Sequence, residues 1–217
     1  MEDGYSCRLQ LEQFFLNVAY DISNLSMAEN IIYIIRDISI QNILIIIRDS
    51  RYSPQKIISR NIPQFSQFYD YENVVRIVMD SGEKDISFKM LGYYLEGEKS
   101  PLALAKYGEN HYKLASQLGL VTNGKHRDVT SIGKAYRLVP DDSERHMIGC
   151  KLCLRIPVIW KLIFFACIGP VDATNFLQRY LAPSTALRRK SNIRKILRYI
   201  QSYDTEERQY IYNNIRW

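Results

Sequence analysis

Apolar positions recur at three- and four-residue steps over most of the chain, the spacing of a single helix face. Leu9, Leu11, Phe14, Phe15, Val18 and Ile22 predict a helix over Cys7–Asn24. Ser26 with Glu29 three residues on has the form of a capping box, which predicts a helix from Ser26 to about Asp37. Asn42–Arg48 is short and rich in β-branched residues, and reads as a buried strand or a core helix. Two prolines and many Ser, Gln and Asn residues over Ser50–Tyr71 mark a connection.

Downstream the punctuation sharpens. Val74, Val75, Ile77 and Val78 predict a helix ended by Asp80-Ser-Gly82, and a second helix follows at Ile86–Leu95. Ser100-Pro101 opens a third, which runs to a C-terminal glycine at Gly119. Leu120-Val-Thr122, Asn123-Gly124 and Arg127-Asp-Val-Thr130 predict a β-hairpin, and Thr130 or Ser131 caps a helix through Arg137. Three helices followed by a hairpin predict a winged helix-turn-helix. Beyond it, Ser143–Leu154 and Val158–Ile168 are helical, the second apolar nearly all round and so buried. Asp172–Leu181 and Ser184–Gln201, joined through Ala182-Pro183, predict a second helix-turn-helix-like module.

Charge changes the picture once it is located. Residues 1–60 carry 6 Lys/Arg against 7 Asp/Glu, residues 61–150 carry 11 against 12, and residues 151–217 carry 12 against 4. The net charge of +6 therefore resides in the last third. Arg188, Arg189, Lys190, Arg194, Lys195 and Arg198 occupy a stretch with no acid between Gln178 and Tyr203. Solvated helix faces usually interleave both signs, so a one-sign face points to a polyanion. In the third helix of the predicted winged unit, Tyr107, His111, Leu114 and Leu118 share a face suited to packing. Lys106, Asn110, Lys113 and Gln117 share the next one, residue types that reach base edges and phosphates. Lys125 and Arg127 lie at the hairpin tip, where a wing meets backbone.

Part of the chain resembles the winged-helix DNA-recognition module of bacterial type II restriction endonucleases. The likeness covers about residues 70–201 and rests on Lys106-Tyr-Gly-Glu-Asn-His-Tyr-Lys-Leu-Ala-Ser-Gln-Leu-Gly-Leu-Val121, Asp128-Val-Thr-Ser-Ile-Gly-Lys-Ala135 and Ser143-Glu-Arg145. Thr185-Ala-Leu-Arg-Arg-Lys-Ser191 extends it. It departs at Lys106-Tyr107, where that module usually carries Arg-Gln. The resemblance implies a sequence-reading DNA-binding unit partnered with a separate nuclease or methyltransferase.

Catalytic and metal chemistry find little support. Asp80-Ser-Gly-Glu83-Lys84-Asp85 and Glu96-Gly-Glu98-Lys99 lack the Glu-x-Lys spacing of a Mg²⁺ nuclease and read as loops. The three histidines, His111, His126 and His146, come without a nucleophile elbow, and no glycine-rich phosphate loop is present. His146, Cys150 and Cys153 share a helical stripe with Leu154, a core pattern more than a zinc one, with Cys167 beyond. Tyrosine supplies sixteen residues, read as half-buried side chains with solvated hydroxyls.

The expected protein is mainly α-helical, in three consecutive units: a small α or α/β unit of unassigned role at 1–60, a winged helix at 61–142 and a basic helical module at 143–217. Four cysteines, the charged opening Met1-Glu-Asp-Gly4 and short apolar runs predict a cytoplasmic protein without membrane spans. The expected partner is double-stranded DNA, contacted by Lys106, Asn110, Lys113, Gln117, Lys125, Arg127, Arg188, Arg189, Lys190, Asn192, Arg194, Lys195 and Arg198. No cofactor is expected, Mg²⁺ entering only with a hidden nuclease site. Competing readings are a small restriction endonuclease or nickase, a transcription or replication regulator, and a protein–protein adaptor. The apolar residues of Ile31–Ile35 and Ile43–Ile47 exceed what so short a segment buries alone, which suggests a homodimer or a docking face.

Overall fold

The computed structural model describes residues 2–17, 22, 24–53, 56–82 and 86–217, with side chains from Cys7 onward. Among these residues the chain is mainly helical. The helices are α1 (Glu2–Phe15), α2 (Leu25–Asp37), α3 (Ile40–Asp49), α4 (Asp70–Asp80), α5 (Phe88–Glu96) and α6 (Pro101–Gln117). They continue with α7 (Ser131–Leu138), α8 (Asp142–Leu152), α9 (Pro157–Ile168), α10 (Ala173–Gln178), α11 (Pro183–Gln201) and α12 (Gln209–Asn213). Two short strands, β1 (Val171–Asp172) and β2 (Ile215–Arg216), pair in parallel with Val171 opposite Ile215. Among the described residues no single helix is long and apolar enough to cross a membrane.

Contacts gather the chain into two compact units rather than three consecutive ones. The first comprises residues 1–21, 33–62 and 146–217, and the second residues 22–32 and 63–145. Residues 1–60 therefore do not stand alone.

In the first unit, α1 packs on α3 and on the 3₁₀ turn Cys153–Arg155. Leu11, Phe14, Phe15 and Leu16 are buried there, as are Ile40, Ile43, Leu44, Ile46 and Ile47. The segment that reads as strand or core helix is helical. Ser39 Oγ accepts from Asn42 N at 3.1 Å, and the buried residues follow the helical period, so cap and burial override β-propensity. The cap of α2 falls two residues earlier than Ser26: Asn24 Oδ1 accepts from Ser26 N at 2.8 Å. The predicted helix over Cys7–Asn24 instead ends at Phe15, and residues 18–21 and 23 lie outside the described ones. Ile31, Ile32 and Ile35 of α2 are buried. Lys151, 5% exposed, donates to the carbonyl of Arg36 in the last turn of α2, and burial lowers its pKa. Arg155 lies over the Phe14 ring and donates to Phe14 O and Asn17 Oδ1, and desolvation draws its pKa down to about 10.

In the second unit, α5 and α6 touch backbone to backbone. A Cβ on Gly92 would lie 2.0 Å from Leu104 O, and one on Gly108 would lie 2.1 Å from Phe88 O. Ser100 Oγ caps α6 through Ala103 N, with Pro101 in its first turn. Gly119, at φ +83°, closes it: Gly119 N donates to Ser116 O and Leu120 N to Ala115 O, the two bonds of a Schellman motif. The following hairpin is reduced to one antiparallel bridge, Val121 with Val129. It is flanked by Thr122 N to Asp128 O at 2.9 Å and Thr130 N to Leu120 O at 3.1 Å. Thr130 Oγ1 then accepts from Gly133 N to cap α7 and donates to Gly119 O, tying both helix ends to the hairpin. Tyr136 donates to Glu72 Oε1 at 2.8 Å and Tyr71 to the same oxygen at 3.2 Å, fixing α7 on α4.

Candidate nucleic-acid interface

Helix α11 sorts its cations by geometry. Ala186, Ile193, Ile196, Leu197 and Ile200 form the buried stripe, so the opposite side is set by the 3.6-residue period. Ser184, Leu187, Arg188, Ser191, Arg194, Lys195 and Arg198 occupy that side, and each is exposed. Helix α11 itself contains no acidic residue. Arg188, Arg194 and Arg198 make no ion pair with a described carboxylate. Arg188 reaches only Thr185 Oγ1 at 3.4 Å, and Arg194 lies 5.8 Å from the centre of the Trp217 ring.

The remaining predicted positions of this helix sit on its flanks. Arg189 is half-buried and reaches Ser59 Oγ at 3.5 Å, and desolvation followed by the neighbouring Arg188 charge lowers its pKa. Lys190 donates to Thr174 Oγ1 on α10 at 3.0 Å, and Asn192 is half-buried. The six cations of the sequence run therefore divide into four that point out and two that brace the fold.

Beyond α11, Asp204 is taken up internally. It receives Arg208 Nε at 3.1 Å and the Tyr212 hydroxyl at 2.6 Å; burial first, and then this bond, pushes the Tyr212 pKa far up. The carbonyls at the end of α11 are also occupied: Ser202 Oγ donates to Tyr199 O and Gln209 Nε2 to Gln201 O. The negative end of the helix dipole is thus partly offset close to Arg198.

Helix α6 is different. His111, Leu114 and Leu118 are buried and Tyr107 half-buried, as the packing face requires. Lys106 and Lys113 are exposed but share one carboxylate: Glu109 meets Lys106 Nζ at 2.9 Å and Lys113 Nζ at 2.5 Å. These two lysines hold the Glu109 pKa below the usual carboxylate range. Asn110 and Gln117 are half-buried. Lys125 is exposed at the hairpin tip, whereas Arg127 folds back, donating to Ile86 O and lying 4.9 Å from the centre of the Phe88 ring.

The cysteine stripe is internal. Cys150 Sγ donates to Ile200 O and Cys153 Sγ to Gly149 O, both side chains fully buried, while Cys167 is exposed. Among the described residues no three His, Cys, Asp or Glu side chains gather as a metal set. The acidic loop at Glu96 and Lys99 forms a local ion pair, and residues 83–85 lie outside the described ones.

Sequence reasoning missed a cleft of about 260 Å³ beside the outward face of α11, lined in part by Arg194, Arg198, Gln201, Asn213 and Trp217. Its far wall comes from residues 212–217, a segment with no periodicity to flag it. The role of Glu109 was legible, since it stands three residues after one lysine and four before the other. Compared with known proteins, the chain matches no family model, no curated protein and no solved structure.

Proposed function

We propose that this chain binds duplex DNA through the outward face of α11, with α10 and α11 acting as a helix-turn-helix and the second unit as a winged helix. The observation that carries this reading is the side of α11 bearing Arg188, Arg194, Lys195 and Arg198 on a helix with no acid. Arg194 and Arg198 stand at i,i+4 and Lys195 and Arg198 at i,i+3, and like-charge pairs at those spacings each cost a helix a few tenths of a kcal/mol. A polyanion turns that cost into a gain. From Arg188 to Arg198 the face runs about 15 Å along the helix, and the major groove admits a helix of this width.

The reading includes a place in a restriction-type system in the cytoplasm, where this chain supplies recognition and a separate nuclease or methyltransferase subunit supplies chemistry. On α6, Lys106, Asn110, Lys113 and Gln117 serve as a secondary contact, with Lys125 at the wing. Fluorescence anisotropy of the full chain against a labelled random-sequence duplex, titrated at several salt concentrations, tests the proposal. Binding whose affinity falls steeply and log-linearly with salt is expected. Absence of binding at low salt sinks it.

A further inference from the structure

The cleft at the end of α11 has the parts of a single-nucleotide site, and we infer that it holds one unstacked nucleotide. The base lies against Trp217 and the phosphate meets Arg194 and Arg198. The inference deepens the DNA-binding reading and rests on it only for the source of the nucleotide.

Four observations converge. First, the volume of about 260 Å³ falls just below the usual range for small-molecule pockets, which suits one planar ring better than a larger ligand. Second, Trp217 lines the cleft with a large π-surface, and the Arg194 guanidinium lies 5.8 Å from the centre of its ring. An aromatic ring beside a guanidinium is the combination that stacks bases and neutralises the attached phosphate. Third, Gln201 and Asn213 supply amide groups, the donor–acceptor pairs that read a base edge, while Leu197 and Ile215 supply apolar lining. Fourth, the wall is braced: Tyr212 lines the cleft while its hydroxyl is bound to Asp204, which also holds Arg208. β2 pairs with β1, and this fixes the backbone two residues before Trp217. The cleft also shares Arg194 and Arg198 with the exposed cationic face, so a strand tracking that face passes its mouth.

The chemistry fits a base extruded from a nucleic acid or a free nucleoside monophosphate, and the test separates the two sources. The full-length chain is titrated at one fixed salt concentration with a fully paired duplex, with the same duplex carrying one extra unpaired adenine, and with dAMP alone. Affinity and tryptophan fluorescence are read in each case. Trp160 is 7% exposed, so ligand-dependent quenching reports on Trp217.

The unpaired adenine is expected to raise duplex affinity about tenfold and to quench fluorescence, as stacking on an aromatic does. Trp217→Leu should reduce that preference to near unity, and Asn213→Ala, at an exposed position, should weaken it in a chain that keeps its fold. Quenching by dAMP without any duplex binding would support the site with a free nucleotide as its ligand, and would remove the DNA reading alone. Equal affinity for paired and unpaired duplexes with no quenching, by duplex or dAMP, would overturn the inference while leaving DNA binding through α11 intact. A preference that survives Trp217→Leu and Asn213→Ala would overturn it too.

Discussion

The ammonium of Lys113 stands 2.5 Å from the carboxylate of Glu109, which also holds Lys106. Among the described residues, the exposed arginines of α11 have no such carboxylate. The two helices therefore differ twice over: α11 carries six cations and no acid, whereas α6 carries two lysines that share Glu109. Changing Arg188, Arg194 and Arg198 together to Ala is expected to flatten the plot of log affinity against log salt by about 2.7, at about 0.9 per released phosphate contact. Glu109→Gln should act the other way, steepening the plot by about 0.9 for each lysine that then reaches a phosphate. If the Lys106/Lys113 double alanine flattens the slope as much as the α11 triple, α11 is not the main contact.

Arg189 and Lys190 belong to the same run of sequence but brace Ser59 and Thr174. Their alanine variants should change the salt slope by less than the outward arginines do. Arg189→Ala should instead appear in stability, by about 1 kcal/mol for a half-buried hydrogen bond and the packing of its stem. Urea unfolding alongside the anisotropy titration measures both. A slope change near 0.9 with no loss of stability would put Arg189 on the DNA after all.

The close approach of α5 and α6 makes a separate stability prediction. Gly108→Ala drives a methyl to 2.1 Å from Phe88 O, a backbone atom that has no flexible tail to move aside. Overpacking of this kind costs about 1–3 kcal/mol, more than the helix propensity gained by replacing a mid-helix glycine. A lowered thermal midpoint is expected for Gly108→Ala and equally for Gly92→Ala. An unchanged midpoint for both would mean the helices stand further apart.

Where a signal was local, the sequence was readable. Ser100-Pro101, Gly119 and Thr130 are end markers whose hydrogen-bonding partners lie within a few residues, and the structure uses each of them as a cap or closing turn. Helix α3 was ambiguous because its β-branched residues suit a strand, and Ser39, which settles it, lies just outside the run. What stayed hidden depends on residues distant in sequence. Nothing in residues 33–62 announces that they pack with residues 146–217, or that Lys151 finds the Arg36 carbonyl. The α11 face was visible as charge. That Arg189 and Lys190 turn aside follows from where Ile193, Ile196 and Ile200 put the core, a wheel argument that charge counting passes over. The cleft needed β2 against β1, and no two-residue strand is visible in a pattern.

Cys150 and Cys153 are fully buried, and desolvation first of all pushes both thiols above the usual value of 9.0. A group whose pKa is raised by folding contributes stability below its unfolded pKa and loses it as pH rises toward the folded value. Between pH 9 and 10 the unfolded chain releases these protons and the folded chain keeps them. The unfolding free energy measured in urea should therefore fall, by up to about 1.4 kcal/mol per thiol and pH unit. The Cys150→Ala/Cys153→Ala double variant, though less stable at pH 7, should show a shallower decline over that interval. In the native state a thiol reagent should modify exposed Cys167 well before either buried cysteine. Prompt labelling of Cys150 would contradict the packing.

Asp204 and Arg208 form an ion pair in which the side chains are 2% and 13% exposed, with Arg208 Nε at 3.1 Å from a carboxylate oxygen. Removing one partner leaves the other charge desolvated, so Asp204→Ala is expected to cost about 3–5 kcal/mol in unfolding free energy. Removing both costs less, because a buried pair repays its own desolvation only partly. Asp204→Ala/Arg208→Met should therefore recover a measurable part of that loss. The Tyr212 hydroxyl also loses its acceptor in either variant, and with it the brace on the cleft wall. Tyr212→Phe isolates that contribution at about 1.5–3 kcal/mol, as a hydrogen bond to a charged group. A full double-mutant cycle separates the terms. A coupling energy near zero between Asp204 and Arg208 would show that the two charges are solvated rather than paired, and would leave the wall held by backbone alone.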